Sequence, residues 1–164
     1  YKVTGVQTCA LPILDICLCS IENNSNLIRF AGAKRPLYLV TKKDNFIPVS
    51  GVDNYSELNL EEMALYEMKG NNCSIGADDL SFHVEDQVFE YNKGDAIYLS
   101  SDGYVDQFGG EDDRKFKSKR LKNILLSIQD KSMSEQKETL AQEFQNWKGD
   151  KEQIDDATIV GIKL

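Results

Sequence analysis

The feature that most constrains this chain is a short apolar run ending in a carboxylate, Gly94 to Gly103, which reads Gly-Asp-Ala-Ile-Tyr-Leu-Ser-Ser-Asp-Gly. Residues 96–100 favour a buried strand, because their apolar side chains lie between turn-forming residues. Asp102 and Gly103 break that strand, and glycine tolerates the change of backbone direction. The run therefore predicts a rigidly held carboxylate at a strand end, and such oxygen ligands suit Mg²⁺ or Mn²⁺.

A second acidic element opens the last apolar run of the chain, where Asp155 and Asp156 precede residues 157–164. This run predicts a final strand, so that Asp155 would also lie at a strand end. Two carboxylates that converge repel each other unless a cation lies between them. The sequence therefore predicts that Asp102 and Asp155 are ligands of one metal site.

Five short motifs, in this order along the chain, resemble the PPM (PP2C-like) phosphatases, and within them the bacterial SpoIIE-type branch. They are Ala31-Gly32-Ala33-Lys34-Arg35-Pro36-Leu37, Ser74-Ile75-Gly76, Lys93-Gly94-Asp95, Ser101-Asp102-Gly103 and Asp155-Asp156-Ala157-Thr158. The resemblance covers Leu14 to Leu164. It implies an α+β fold, the PP2C-like α-β-β-α sandwich, N-terminally truncated, with antiparallel sheets and two C-terminal helices.

The resemblance also implies a function, that of a metal-dependent serine/threonine protein phosphatase in bacterial signalling. In such an enzyme Asp102 and Asp155 bind Mg²⁺ or Mn²⁺, and no side chain is the nucleophile because a metal-activated water attacks the phosphate. The supporting residues around these ligands are Ser101, Gly103, Asp156 and Thr158.

The implied substrate is a phosphorylated protein, with a STAS-type anti-anti-sigma protein as the candidate partner. Lys34 and Arg35 form a basic pair in a loop, and they are candidates for contact with the phosphate. We expect a cytoplasmic domain whose parent protein can be tethered to an upstream sensor.

One element of the family has no match in this sequence, an Asp-Gly pair on an earlier strand whose carboxylate bridges two metal ions. Asp15 is not a substitute, because Ile16 follows it and the strand is a different one. Residues 3–13 resemble the in-frame translation of a widely used sequencing adapter, so residues 1–13 are excluded from the fold predictions. We expect residues 14–164 to be the C-terminal part of a phosphatase domain and to be inactive or nearly so.

Composition and spacing argue against several other functions. A net charge of −8 is unlike the basic surface of a nucleic-acid-binding protein. The chain has four cysteines without a Cys-x-x-Cys spacing and one histidine, His83, which we expect at the surface. This composition argues against a zinc site and against a Cys/His nucleophile. An EF-hand beginning at Asp102 fails because Gln107 stands where glycine is required. No run approaches the ~20 apolar residues of a membrane-spanning helix.

Two other classes of function stay open. One is a non-catalytic PPM-like interaction module that binds a partner without chemistry. The other is a metal-dependent hydrolase of small phosphorylated molecules, such as nucleotides, which the basic pair Lys34 and Arg35 does not exclude.

Turn residues and alternating apolar residues predict the strands. They are residues 14–22, 27–31, 36–40, 46–49, 64–69, 87–91, 96–100 and 157–164. The first three are predicted to form a meander, 87–91 and 96–100 a hairpin, and 46–49 an edge strand because of Pro48.

The rest of the chain predicts loops and two helices. Residues 71–80 predict a loop, and residues 104–115 a mobile acidic loop. Apolar residues at helical spacing predict one helix capped by Ser118 and another that runs from Ser132, with a capping box, to Gly149. Both helices should cover one face of the sheet.

Overall fold

The computed structural model describes residues 13–22, 24–76 and 86–164, and it forms strands and helices in the following order. The strands are β1 (Ile16–Glu22), β2 (Leu27–Ala33), β3 (Leu37–Lys42), β4 (Pro48–Ser50), β5 (Tyr55–Leu60), β6 (Met63–Met68), β7 (Gln87–Glu90), β8 (Ala96–Ser100), β9 (Phe108–Gly109), β10 (Arg114–Lys115) and β11 (Ile159–Lys163). The helices are α1 (Gly103–Asp106), α2 (Ser118–Ser127) and α3 (Met133–Lys148). His83 and the end of the predicted loop at 71–80 lie outside the described residues.

Two antiparallel sheets pack face to face. One has the strand order β1-β2-β7-β4, and the other has the order β11-β8-β3-β6-β5. Because side chains alternate between the faces of a strand, each sheet sends one row of apolar side chains inward. Ile28 and Phe30 of the first sheet meet Leu39 and Ile97 of the second, and all four are fully buried. This inner layer joins the two sheets.

Helices α2 and α3 cover the other face of the five-stranded sheet, as the sequence predicts. Leu121 and Leu125 of α2, with Phe144 of α3, pack against Tyr38 and Tyr98 on the sheet. The predicted α+β sandwich with antiparallel sheets and C-terminal helices is therefore confirmed. None of the helices in the described ranges has the length and apolar character that a bilayer crossing demands.

The helix ends confirm one predicted cap and correct another. Ser132 accepts from the Glu135 N–H while the Glu135 carboxylate accepts from the Ser132 N–H, which is the predicted capping box. Gly149, at φ 55°, ends α3 as predicted. The prediction that Ser118 caps α2 is wrong, because Ser118 is the first helical residue and Lys117, at φ 70°, takes the cap position without a side-chain hydrogen bond.

Two predicted strand pairings are wrong. β3 does not continue a meander from β2, and β8 does not form a hairpin with β7, because in both cases the chain crosses from one sheet to the other. At the second crossing the Gly94 N–H donates to the Leu164 carbonyl, and the Leu164 N–H donates to the Asp95 carbonyl. The turn therefore pairs with the distant end of β11 rather than returning the chain to β7. The predicted edge position of Pro48 is correct, since β4 ends its sheet.

The predicted mobile loop at 104–115 is also wrong. This segment forms α1 and the β9–β10 ribbon, and it packs on the end of α3. The Gly110 N–H donates to the Trp147 carbonyl at 2.9 Å, and the Trp147 Nε1–H donates to the Gln107 carbonyl at 3.0 Å. A Cβ on Gly109 would lie 1.9 Å from the Trp147 carbonyl oxygen, so glycine permits this contact. The acidic composition of the segment did not indicate these long-range bonds.

Candidate functional site

The end of β8 lies beside the beginning of β11, which is the arrangement that the two acidic motifs predict. In this antiparallel pair Ile159 is opposite Ser100. One residue farther on, the Ser101 N–H donates to the Thr158 carbonyl at 3.0 Å. The ladder thus continues past both strands and brings the segment that contains Asp102 next to the segment that contains Asp155.

The Ser101 side chain holds these two segments together. Its Oγ donates to the Asp156 carbonyl at 2.7 Å and accepts from the Thr158 N–H at 2.9 Å. One hydroxyl therefore satisfies a carbonyl and an amide that would otherwise lack partners in the ladder. Ser101 therefore ties the residue before Asp102 to the backbone of Asp156 and Thr158.

Gly103 allows the closest approach between the two segments. A Cβ at this position would lie 2.5 Å from the Asp156 carbonyl oxygen and 3.1 Å from the Asp155 carbonyl carbon. Both atoms belong to the backbone and cannot swing away as the tip of a side chain can. The glycine of the Ser-Asp-Gly motif is therefore required by contact with the second acidic motif.

Asp102 forms an ion pair in the structure. Its Oδ2 accepts from Arg35 Nη2 at 2.6 Å, and the same nitrogen donates to Asp15 Oδ2 at 2.7 Å. The Ser74 hydroxyl donates to the other oxygen of Asp15. We call these four residues the Arg35 cluster. It joins the start of β1, the loop before β3, the loop after β6 and the end of β8.

The hydrogen bonds and ion pairs of the cluster favour the charged forms of Asp15 and Arg35. The hydrogen bond from Ser74 lowers the pKa of Asp15; burial opposes this, and Arg35 adds to the lowering. Burial lowers the pKa of Arg35, but the hydrogen bonds to Asp15 and Asp102 outweigh it and leave that pKa above its ordinary value. Asp15 and Arg35 therefore carry opposite charges throughout the neutral range.

A cleft of about 610 Å³ opens over the Arg35 cluster. Asp15, Arg35, Ser74 and Asp102 line it on one side, and Thr158 lines it on the side of β11. Within the cleft the Arg35 guanidinium lies between the carboxylates of Asp15 and Asp102, and apolar residues line part of the walls. Its volume is within the range typical of small-molecule sites.

Asp155 and Asp156 are both exposed, and the Asp155 side chain turns toward its own backbone. Its Oδ1 accepts from the Asp156 N–H at 2.7 Å, while Gln153 Nε2 donates to the Asp155 carbonyl at 2.8 Å. Asp155 does not line the cleft that contains Asp102. The structure thus brings the two backbones together and leaves the Asp155 carboxylate engaged in a local hydrogen bond.

Lys34 and Arg35, the predicted phosphate contacts, lie in different places. Lys34 has a positive φ of 63°, its Nζ donates to Asn72 Oδ1 at 2.9 Å, and it lines a separate cleft near Lys69. Arg35 lies in the cleft with Asp102. Of this basic pair, Arg35 is the member beside the acidic strand ends.

The carboxylate and carbonyl oxygens at the strand ends are the kind of ligand that a hard cation such as Mg²⁺ binds. Among the residues that the structure describes, however, no three His, Cys, Asp or Glu side chains are arranged to hold a metal ion. Asp102 and Asp155 alone are fewer ligands than Mg²⁺ or Mn²⁺ takes, so further oxygen ligands would have to complete such a coordination shell. Asp15 and Ser74 were not assigned to the site from the sequence, since only the fold brings them to Arg35.

Comparison with known proteins gives a consistent result. A family model described as stage II sporulation protein E (SpoIIE) matches residues 12–164. The solved SiaA-PP2C domain of Pseudomonas aeruginosa is similar with a TM-score of 0.72 and 26% identity, over 92% of this chain and 51% of that one. No curated protein sequence gives a significant match.

The phosphatase domain of the cell fate determinant SpoIIE from Bacillus subtilis, presoaked with Mn, is similar in fold. Its TM-score is 0.59 at 15% identity, over 92% of this chain and 56% of that one. The present chain thus spans about half the length of the solved domains that it matches.

Proposed function

Because the chain belongs to the SpoIIE family, we propose that it is part of a metal-dependent serine/threonine protein phosphatase that acts in bacterial signalling. The proposal rests on the close approach of the β8 and β11 ends, where Gly103 lies against the backbone of Asp155 and Asp156. The likeness to a PP2C domain at 26% identity supports it.

We further propose that residues 14–164 are the C-terminal part of the phosphatase domain. The share of the solved SiaA-PP2C domain that the chain covers, 51%, supports this division. The remaining part would supply the metal ligands that the described residues do not provide.

In this proposal Asp102 and Asp155 hold Mg²⁺ or Mn²⁺ together with ligands from elsewhere in the domain. The bound metal would lower the pKa of a water and offset charge on the phosphoryl oxygens. The chain's own residues position these ligands: Ser101 ties the two segments together, Gly103 permits their contact, and Thr158 continues the ladder. Asp156 contributes through its carbonyl, which accepts from Ser101.

Arg35 is the candidate for phosphate contact. Its guanidinium presents several donors in a fixed plane, which suits a phosphoryl group better than a single ammonium does. It lines the same cleft as Asp102, whereas Lys34 lines another. The substrate would be a phosphorylated protein, with a STAS-type anti-anti-sigma protein as the candidate, and the domain would act in the cytoplasm.

The test is an assay of Mn²⁺-dependent hydrolysis with a phosphoserine or phosphothreonine peptide beside a panel of nucleotides. We expect the 164-residue chain to turn over little or nothing. A version extended upstream to the length of a whole PP2C domain should hydrolyse the peptide, and Asp102→Asn should reduce its kcat at least about 100-fold, as for loss of a metal ligand. Metal-independent turnover, or a preference for nucleotides, would contradict the proposal.

A non-catalytic interaction module is the second candidate, and one observation favours it. Arg35 donates to one oxygen of Asp102 at 2.6 Å, and it would compete with a metal for that carboxylate. In such a module the ion pair would be permanent. The same extended version would then bind its partner without Mn²⁺-dependent turnover of any phosphorylated substrate in the panel.

A further inference from the structure

A single nitrogen of Arg35 serves two carboxylates. Nη2 donates to Asp15 Oδ2 at 2.7 Å and to Asp102 Oδ2 at 2.6 Å. The Arg35 side chain is only 19% exposed, and its guanidinium is held between the two carboxylates. The cluster has two negative charges and one positive charge, and the arginine offsets part of the repulsion between the carboxylates.

The two carboxylates differ in how firmly they are held. Asp15 has a second partner, because the Ser74 hydroxyl donates to its other oxygen, and its side chain is 29% exposed. The Asp102 side chain is 41% exposed, and its carboxylate accepts a hydrogen bond from Arg35. Asp15 and Ser74 therefore form a fixed anchor, whereas Asp102 is the more accessible end of the cluster.

A divalent cation at Asp102 and the Arg35 guanidinium would compete directly. Both are positively charged and both need the Asp102 carboxylate, and two cations a few ångströms apart repel each other. A metal ion can use Asp102 fully only after Arg35 gives up its hydrogen bond to that residue. Arg35 would not have to leave the cleft, because its bond to Asp15 is independent of Asp102.

We propose that Arg35 is the resident counter-ion of Asp102, that a divalent cation displaces it, and that Asp15 with Ser74 retains it in the cleft after displacement. This inference rests on the proposed function, since the cation is the one proposed there. Arg35 is then a positioning residue that sets metal affinity.

The experiment is a Mn²⁺ titration of the full 164-residue chain, with free Mn²⁺ followed by electron paramagnetic resonance. Arg35→Met removes the competing charge at similar side-chain length, and we expect it to tighten Mn²⁺ binding at least about fivefold, the scale of one unit-charge interaction at about 4 Å with the full screening of bulk water. Lys34→Met is the matched control, because it removes the same charge from the next residue, whose Nζ contacts Asn72 instead. We expect Lys34→Met to stay within about twofold of the wild type.

The role of the anchor is tested by coupling. Asp15→Asn weakens the retention of Arg35, which then depends more on Asp102, and we expect Mn²⁺ binding to weaken about threefold. In the Arg35→Met background the same change should weaken Mn²⁺ binding less than it does in the wild type, because only the loss of one nearby negative charge remains and no competing cation is released. A purely structural role would give additive effects instead. Arg35→Gln, which removes the charge but keeps a polar side chain, should also tighten Mn²⁺ binding and serves if Arg35→Met does not fold.

The outcomes separate this inference from the proposed function. If Asp102→Asn abolishes Mn²⁺ binding and Arg35→Met leaves it unchanged or weaker, the counter-ion role is overturned and the metal site stands. If neither the wild type nor Arg35→Met binds Mn²⁺ at millimolar concentration, the counter-ion role in this chain is overturned, whereas the proposed function, whose further metal ligands lie elsewhere in the domain, stands or falls on Asp102→Asn in the extended version.

Discussion

The helix-covered face of the five-stranded sheet and the cleft at the ends of β8 and β11 are held together by different interactions. Under the helices, Leu121 and Leu125 pack on Tyr98, and apolar contact dominates. At the cleft, a hydroxyl, a guanidinium and several carboxylates hold the chain through hydrogen bonds and ion pairs. Partly exposed ion pairs contribute little to folding, whereas burial of apolar side chains contributes most of it. The first region can therefore hold the second in place.

Because of this difference, the free energy of unfolding and the metal affinity should depend on different residues. Substitutions under the helices should change the free energy of unfolding and leave the intrinsic metal affinity of folded molecules alone. Substitutions of charged residues in the cleft should do the reverse. The junction between the regions, where Gly103 meets Asp156, should affect both.

The largest expected effect is on stability, from Leu121→Ala. Leu121 is fully buried, and removing its side chain should lower the free energy of unfolding by about 3 kcal/mol, through lost burial and the cavity left behind. Urea denaturation followed by circular dichroism measures this change. Leu18→Ala is the control, because Leu18 is 61% exposed and its loss should cost less than about 0.5 kcal/mol. Equal costs at the two positions would contradict the assignment of the core.

Gly103→Ala should have an intermediate effect on stability and a clear one on metal binding. The new Cβ would force the Asp156 backbone away from β8, which we expect to cost about 2 kcal/mol of unfolding free energy and to weaken Mn²⁺ binding about tenfold. Gly161→Ala is the comparison on the same strand pair, since a Cβ there would meet side-chain atoms, of Met133 at 2.9 Å and Tyr98 at 3.0 Å, rather than backbone. A Gly103→Ala variant that binds Mn²⁺ normally would show that metal binding does not depend on the contact between Gly103 and the Asp156 backbone.

The smallest expected effect concerns pH and Asp15. The Ser74 hydroxyl and Arg35 hold the pKa of Asp15 in the folded chain below its ordinary value of 3.8. The stability that Asp15 contributes is therefore fully present above that value and is lost as the pH falls through the folded-state pKa. The difference in unfolding free energy between the wild type and Asp15→Asn should therefore be constant at neutral pH, about 1 kcal/mol or less, and shrink below pH about 4. Denaturation curves across the acid range measure it; a difference that grows on acidification has the wrong sign.

Much of the secondary structure could be predicted from the sequence, because its signals are local. The stripe of Leu121, Leu125 and Ile128 and the capping box at Ser132 specify the helices within a few residues. Turn residues likewise mark most strands. The strand β5 was not predicted, since Tyr55–Leu60 pairs with β6 across a short turn without a strong apolar alternation.

Strand partners and the Arg35 cluster could not be predicted in the same way. β7 and β8 are neighbours in sequence but belong to different sheets, and which sheet each joins depends on packing across the whole domain. Asp15, Arg35 and Ser74 lie in three segments that are distant in sequence, and only the fold brings them into hydrogen-bonding contact. The motifs predicted Asp102 and Asp155 as metal ligands, and the fold places the two backbone segments that contain them side by side.

The most direct test of the metal site is a Mn²⁺ titration of the full chain and three variants, Asp102→Asn, Asp155→Asn and Asp150→Asn. Each variant removes one negative charge, and Asp150 is an exposed residue just after α3. If the strand ends form a divalent cation site, the first two variants should each weaken Mn²⁺ binding at least about tenfold, as loss of a ligand does, and the third should match the wild type. Equal, small effects in all three would show that Mn²⁺ responds only to overall charge, and would contradict the account.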